Sequence, residues 1–139
     1  LPQPIAINGQ KPNGLVDWQH SLSVVGGDHK LLRDVVEACL EDWPRWIQDF
    51  ERGLAQQEAT VFRRAAHSVR GACRTFGLER LVAPSQELET LALAGNLAAA
   101  EKLLESMRPD FQACQTELQE FLAKTSPDSE SQATKIDKP

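Results

Sequence analysis

The stretch R-R-A-A-H-S-V-R-G-A-C-R-T-F-G, residues 63–77, holds one histidine, four arginines and two glycines, and its spacing decides the fold. Placed on a helical wheel at about 100° per residue, Phe62, Ala65, Ala66, Val69, Ala72, Cys73 and Phe76 fall within a sector of roughly 120°. That sector is a core face. His67 projects about 160° away from its centre, with Arg63 and Arg74 within about 40°, Arg70 within about 60°, and Gly71 about 40° to the other side. A glycine inside a helix costs roughly 1 kcal/mol relative to alanine. Its place one turn after an outward-facing histidine therefore asks for a reason. Bare backbone there leaves room for another molecule to approach the imidazole, which a larger side chain at i+4 would obstruct.

Working outward, the same helical periodicity recurs along most of the chain, with hardly a strand signal. Asp17 is placed to cap a short helix, D-W-Q-H-S-L-S-V-V, that Gly26 and Gly27 end. Asp28 caps a long helix to about Leu54, in which Pro44 should introduce a bend. The third helix runs from about Glu58 to Phe76 and stops at Gly77. The fourth covers about Glu79 to Ala94, with Pro84 disturbing its first turn. Asn96 caps the last helix, which Pro109 should kink. Short loops between long helices predict antiparallel neighbours. The expected architecture is all-α: an up-and-down antiparallel four-helix bundle with a short extra N-terminal helix. Residues 1–14, with three prolines and two glycines, read as a linker. The bundle spans residues 15–123, and the polar stretch 124–139 reads as a disordered tail.

Composition narrows the function. A chain of 139 residues suits one modest core. A net charge of −5 argues against general nucleic-acid binding. No run of about 18 apolar residues predicts a membrane span, so no direct membrane contact is expected. The start has no secretory h-region. Cys39, Cys73 and Cys114 form no C-x-x-C pair, and their odd number suits reduced thiols in a cytoplasmic setting. His20, His29 and His67 lie on different segments without a Glu-x-x-His spacing, so no metal site and no cofactor is expected. His20 and His29 read as plain surface residues. A neutral imidazole, by contrast, is a good nucleophile toward phosphorus and needs no general base, since its ring already presents a lone pair. The dianionic product on a helix surface would be stabilised by nearby cations, with Arg70 at i+3 the first candidate.

With these residues in view, A-H-S-V-R-G-A-C-R-T-F-G, residues 66–77, resembles the motif of the histidine-containing phosphotransfer (HPt) domain, Ala-His-x-Leu-Lys-Gly followed by small residues and a second glycine. Ala66, His67, Gly71 and Gly77 match. Val69 stands for the usual leucine, and Arg70 for the usual lysine, keeping the charge in a bulkier fork. V-D-W-Q-H-S-L-S-V-V-G-G-D-H-K at the front and S-Q-E-L-E-T-L-A-L-A-G-N-L-A-A-A-E-K-L-L further on resemble the family's opening and its fourth helix, so the likeness covers about Leu15 to Leu122. Gln57, where the family often has a capping aspartate, and Pro84 depart from the pattern.

The resemblance implies a phosphorelay carrier. His67 would accept a phosphoryl group from a receiver-domain aspartate and pass it to another receiver, with Arg70 stabilising the phosphate. Arg63, Arg64, Gly71 and Arg74 would meet the partner. It implies response-regulator receiver domains as partners of a monomeric domain. It also implies an origin at the C-terminal end of a membrane-bound hybrid sensor kinase, a free-standing protein being the alternative. A kinase's own histidine domain is the poorer match, because His67 is followed by Ser68 rather than an acid and no phosphate-binding loop is present; no kinase or ATPase activity is expected. The competing reading is a non-catalytic helical adaptor that binds receivers or other signalling proteins without phosphotransfer.

Overall fold

The computed structural model describes residues 14–125, and among these there are five helices and no strand. They are α1 (Trp18–Val24), α2 (His29–Ala55), α3 (Ala59–Thr75), α4 (Glu79–Leu93) and α5 (Leu97–Lys124). The linker expected over residues 1–14 and the tail expected over 124–139 lie, apart from their innermost residues, outside the described part. The last helix reaches Lys124, one residue past the boundary read from the sequence.

The helix starts follow their side-chain caps. Asp17 accepts from the His20 amide, Asp28 from that of Leu31 and Asn96 from that of Ala99. The third and fourth helices differ, because their N-caps, Glu58 and Leu78, make no side-chain cap bond. Gln57 is not in a capping position. It sits at φ 55° in the turn itself, its Nε2 donating to the Leu54 carbonyl.

The turn after α3 matters most for the site. Gly77 takes φ +62°, a left-handed conformation that glycine reaches without a Cβ penalty. The Leu78 amide then donates to the Cys73 carbonyl at 2.8 Å and the Gly77 amide to that of Arg74 at 3.3 Å. This doubly bonded C-terminal motif is completed by the buried Leu78 side chain. The same pattern at Gly95 ends α4, and the next residue, Asn96, immediately caps α5.

The three prolines do not end their helices: α2, α4 and α5 each continue through Pro44, Pro84 and Pro109. The first turn of α4 is tightened, with the Leu81 amide reaching the Leu78 carbonyl at 2.8 Å.

α3 packs between α2 and α4, and α5 against α2 and α4, so the four long helices enclose one core. Phe50, Phe62, Trp43 and Phe111 fill one part of it, with Phe50 and Phe62 ring centres 4.9 Å apart and Trp43 edge-on to Phe111 at 5.7 Å. In another part Trp18 stacks on Phe121 at 4.3 Å and meets Phe76 edge-on. The segment before α1 is pinned by Glu117, a buried carboxylate of α5 that accepts from the amides of Leu15 and Val16 and from the Trp18 indole. Three donors compensate its burial. His20 is not merely a surface residue. Its Nε2 donates to the Arg74 carbonyl at 2.9 Å and fastens α1 to the last turn of α3.

Candidate functional site

The wheel reading of α3 matches its burial. Phe62, Ala65, Ala66, Val69, Cys73 and Phe76 are buried, and Ala72 is partly buried at the edge of that face. The His67 side chain stands out from the opposite side, 65% exposed. It is not ringed by cations alone. Glu89 comes across from α4, held at the rim by its buried neighbours Leu88 and Ala92, with its own side chain 17% exposed.

Glu89 Oε2 lies 2.7 Å from His67 Nδ1. A carboxylate oxygen at that distance is an acceptor, so Nδ1 carries the proton and donates to it. In the neutral ring Nε2 then holds the lone pair. Among the described residues Nε2 makes no hydrogen bond. The opposite tautomer would set the Nδ1 lone pair against the carboxylate. The site therefore offers an exposed imidazole with one nitrogen anchored and the other free to attack.

Arg70 joins the same pair. Its Nε lies 2.9 Å from Glu89 Oε1, and its Nη2 lies 3.2 Å from His67 Nδ1. With Nδ1 already donating, the second contact sets two N–H groups side by side and is not a hydrogen bond. The first is a contact of opposite charges that lies off the N–H direction, since this mostly buried Nε has no directed hydrogen bond.

Gly71 is exposed, and a Cβ built on it would meet nothing within 4 Å. Nothing in the bundle requires a glycine there, so the space lies open to the outside. Arg63, Arg64 and Arg74 form no ion pair among the described residues, whereas Arg45, Arg52, Arg80 and Arg108 each do. The unpaired arginines are thus all on the helix that carries His67.

The thiols take no part. Burial pushes Cys39 up to about 12 and Cys73 to about 11, and raises Cys114 as well, so all three are protonated at neutral pH. Among the described residues no three His, Cys, Asp or Glu side chains are placed to hold a metal ion, and no helix is long and apolar enough to cross a membrane.

Of the residues singled out in the sequence, the structure brings His67, Arg70 and Gly71 to one patch of α3, with Arg63, Arg64 and Arg74 along the same helix. Glu89 was missed. A single-helix wheel cannot show a neighbour, but His67 and Glu89 lie at nearly equal distances along the chain from Gly77. A tight turn there makes them partners.

No curated protein and no solved structure matched the chain. The family model of the Hpt domain matches residues 34–124, which takes in most of α2 and all of α3, α4 and α5. Members of that family carry phosphoryl groups on histidine in two-component phosphorelays, are not kinases, and interact with receiver domains. The match covers well over half of the chain and includes His67 with its surroundings, and the chain belongs to the Hpt domain family.

Proposed function

We propose that this chain is a phosphorelay carrier whose phosphoacceptor is His67. In the acceptance step the Nε2 lone pair forms an N–P bond while the P–O bond to a receiver aspartate breaks, its electron pair returning to that carboxylate. The ring keeps its proton on Nδ1, and the positive charge it gains faces the Glu89 carboxylate. Attack by a second receiver's aspartate on phosphorus reverses the bond changes. The observation that carries this reading is the 2.7 Å bond from Nδ1 to Glu89, which leaves the exposed nitrogen nucleophilic. The reading has the domain acting as a cytoplasmic monomer, without hydrolysing ATP, on an up-and-down antiparallel bundle of α2 to α5. The tight turns at Gly77 and Gly95 support that arrangement. Incubation with a phosphorylated receiver should place acid-labile, base-stable phosphate on the chain, and a second receiver should remove it. Binding without labelling would establish the adaptor reading instead.

Gly71 separates folding from docking. Gly71→Ala should stabilise the fold by about 0.5–1 kcal/mol, because the methyl group meets open space and the helix gains propensity. Gly71→Gln should also fold but slow transfer by obstructing the partner's approach. Urea unfolding and transfer rates measure the two effects, and unimpaired transfer by Gly71→Gln would remove the docking role.

Receiver phosphorylation pockets are acidic and normally hold a divalent metal. The unpaired arginines of α3 should steer them toward His67 although the whole chain carries −5. Transfer should therefore slow as salt rises, through screening over roughly 8–10 Å at physiological ionic strength. Arg63→Ala/Arg74→Ala should transfer more slowly at low salt and lose most of this dependence. A wild-type rate indifferent to salt and equalled by the double variant would show these arginines to be a solvated face.

A further inference from the structure

The guanidinium of Arg70 is not directed at the nitrogen that would carry phosphate. It lies against Nδ1, the anchored side of the ring, and its Nε faces the Glu89 oxygen that His67 leaves unused. Glu89 is thereby held at both oxygens, by the imidazole on one and by a cation on the other. The Arg70 side chain is only 18% exposed and Glu89 17%. A carboxylate so withdrawn from water depends on the charge beside it. Without that cation, Glu89 gains by turning out to solvent, and the His67 ring is then free to rotate and to populate both tautomers.

We propose that Arg70 is a positioning residue. It acts through Glu89 to keep the proton of His67 on Nδ1, and it is not a ligand of the transferred phosphoryl group. The inference rests on the carrier reading of His67 for its functional consequence, though not for its geometry. It also accounts for an arginine at this place. Arginine brings its charge to Glu89 at Nε, one atom nearer the backbone than the ammonium of a lysine, so the two cations do not sit alike beside the carboxylate.

The test reads the tautomer and the phosphate separately. Nitrogen NMR of His67 in the wild type should show the proton on Nδ1. Arg70→Ala should spread it over both nitrogens, as should Glu89→Ala. The double variant should add nothing further, because both residues act along one line. Arg70→Lys, which keeps charge and stem, should restore the wild-type tautomer only in part. Phosphoryl uptake from a phosphorylated receiver should fall on the order of tenfold in Arg70→Ala, a loss comparable to removing the orienting partner of a ligating histidine. The lifetime of phosphohistidine once formed should stay at the wild-type value. An unchanged tautomer in Arg70→Ala and Arg70→Lys would overturn the proposal, as would a shortened phosphohistidine lifetime in Arg70→Ala. A wild type that takes up no phosphate would defeat the carrier reading alone, since the tautomer measurements still decide whether Arg70 positions His67.

Discussion

His67→Gln is expected to eliminate acid-labile phosphate from the chain altogether after incubation with a phosphorylated receiver. Glutamine has no nitrogen lone pair able to attack phosphorus, so no residual slow reaction is expected. The fold should hardly change. The side chain is mostly in water and contributes one hydrogen bond, to Glu89, which contributes on the order of 1 kcal/mol at most. Intact helical circular dichroism beside zero labelling is therefore the expected pair of results. His20→Gln and His29→Gln supply the controls. The first loses the bond to the Arg74 carbonyl and should loosen α1, and the second alters an exposed side chain at the start of α2. Both should be labelled like the wild type. Full labelling of His67→Gln would refute the assignment of the acceptor.

This outward histidine was legible in the sequence because helical periodicity is local: the positions of Phe62, Ala66, Val69 and Cys73 fix which way His67 points. The caps at Asp17, Asp28 and Asn96 were legible for the same reason, as each reads only a few residues ahead. Glu89, Glu117 and His20 were not, because their partners depend on how helices register. Glu117 meets residues about a hundred positions away in sequence, and nothing in its own neighbourhood marks it as a buried acceptor. The contacts of Arg70 were hidden likewise. The wheel placed it beside His67 correctly, but only the approach of α4 shows which nitrogen it faces. At Pro44 and Pro109, where bends are expected, α2 and α5 stay helical on both sides of the missing amide.

Phe62→Ala is expected to produce the largest loss of stability on the helix that carries the site. The ring is fully buried and packs against Phe50 at 4.9 Å. Removing it forfeits transfer free energy and leaves a cavity between α2 and α3, at a cost of about 3–5 kcal/mol. Against the roughly 5–15 kcal/mol by which a domain is stable, that is a large share. Gly53→Ala tests the same contact from the other side. A Cβ there would lie 2.9 Å from both the Cβ and the amide nitrogen of Phe62 and 3.0 Å from the Glu58 carbonyl. Two of those three atoms are backbone and cannot swing aside, so the helices must separate, costing about 1–3 kcal/mol. Arg64→Ala, on the exposed side of the same helix, should change stability by less than about 0.5 kcal/mol. Urea unfolding of the three variants measures the differences, and a Phe62→Ala midpoint equal to the wild type would show that the α2–α3 contact does not hold the core. Transfer distinguishes the faces further. In cold buffer without denaturant, where part of Phe62→Ala remains folded, phosphate uptake per folded molecule should stay near the wild-type value, because His67 and Glu89 lie on the side of α3 away from the cavity.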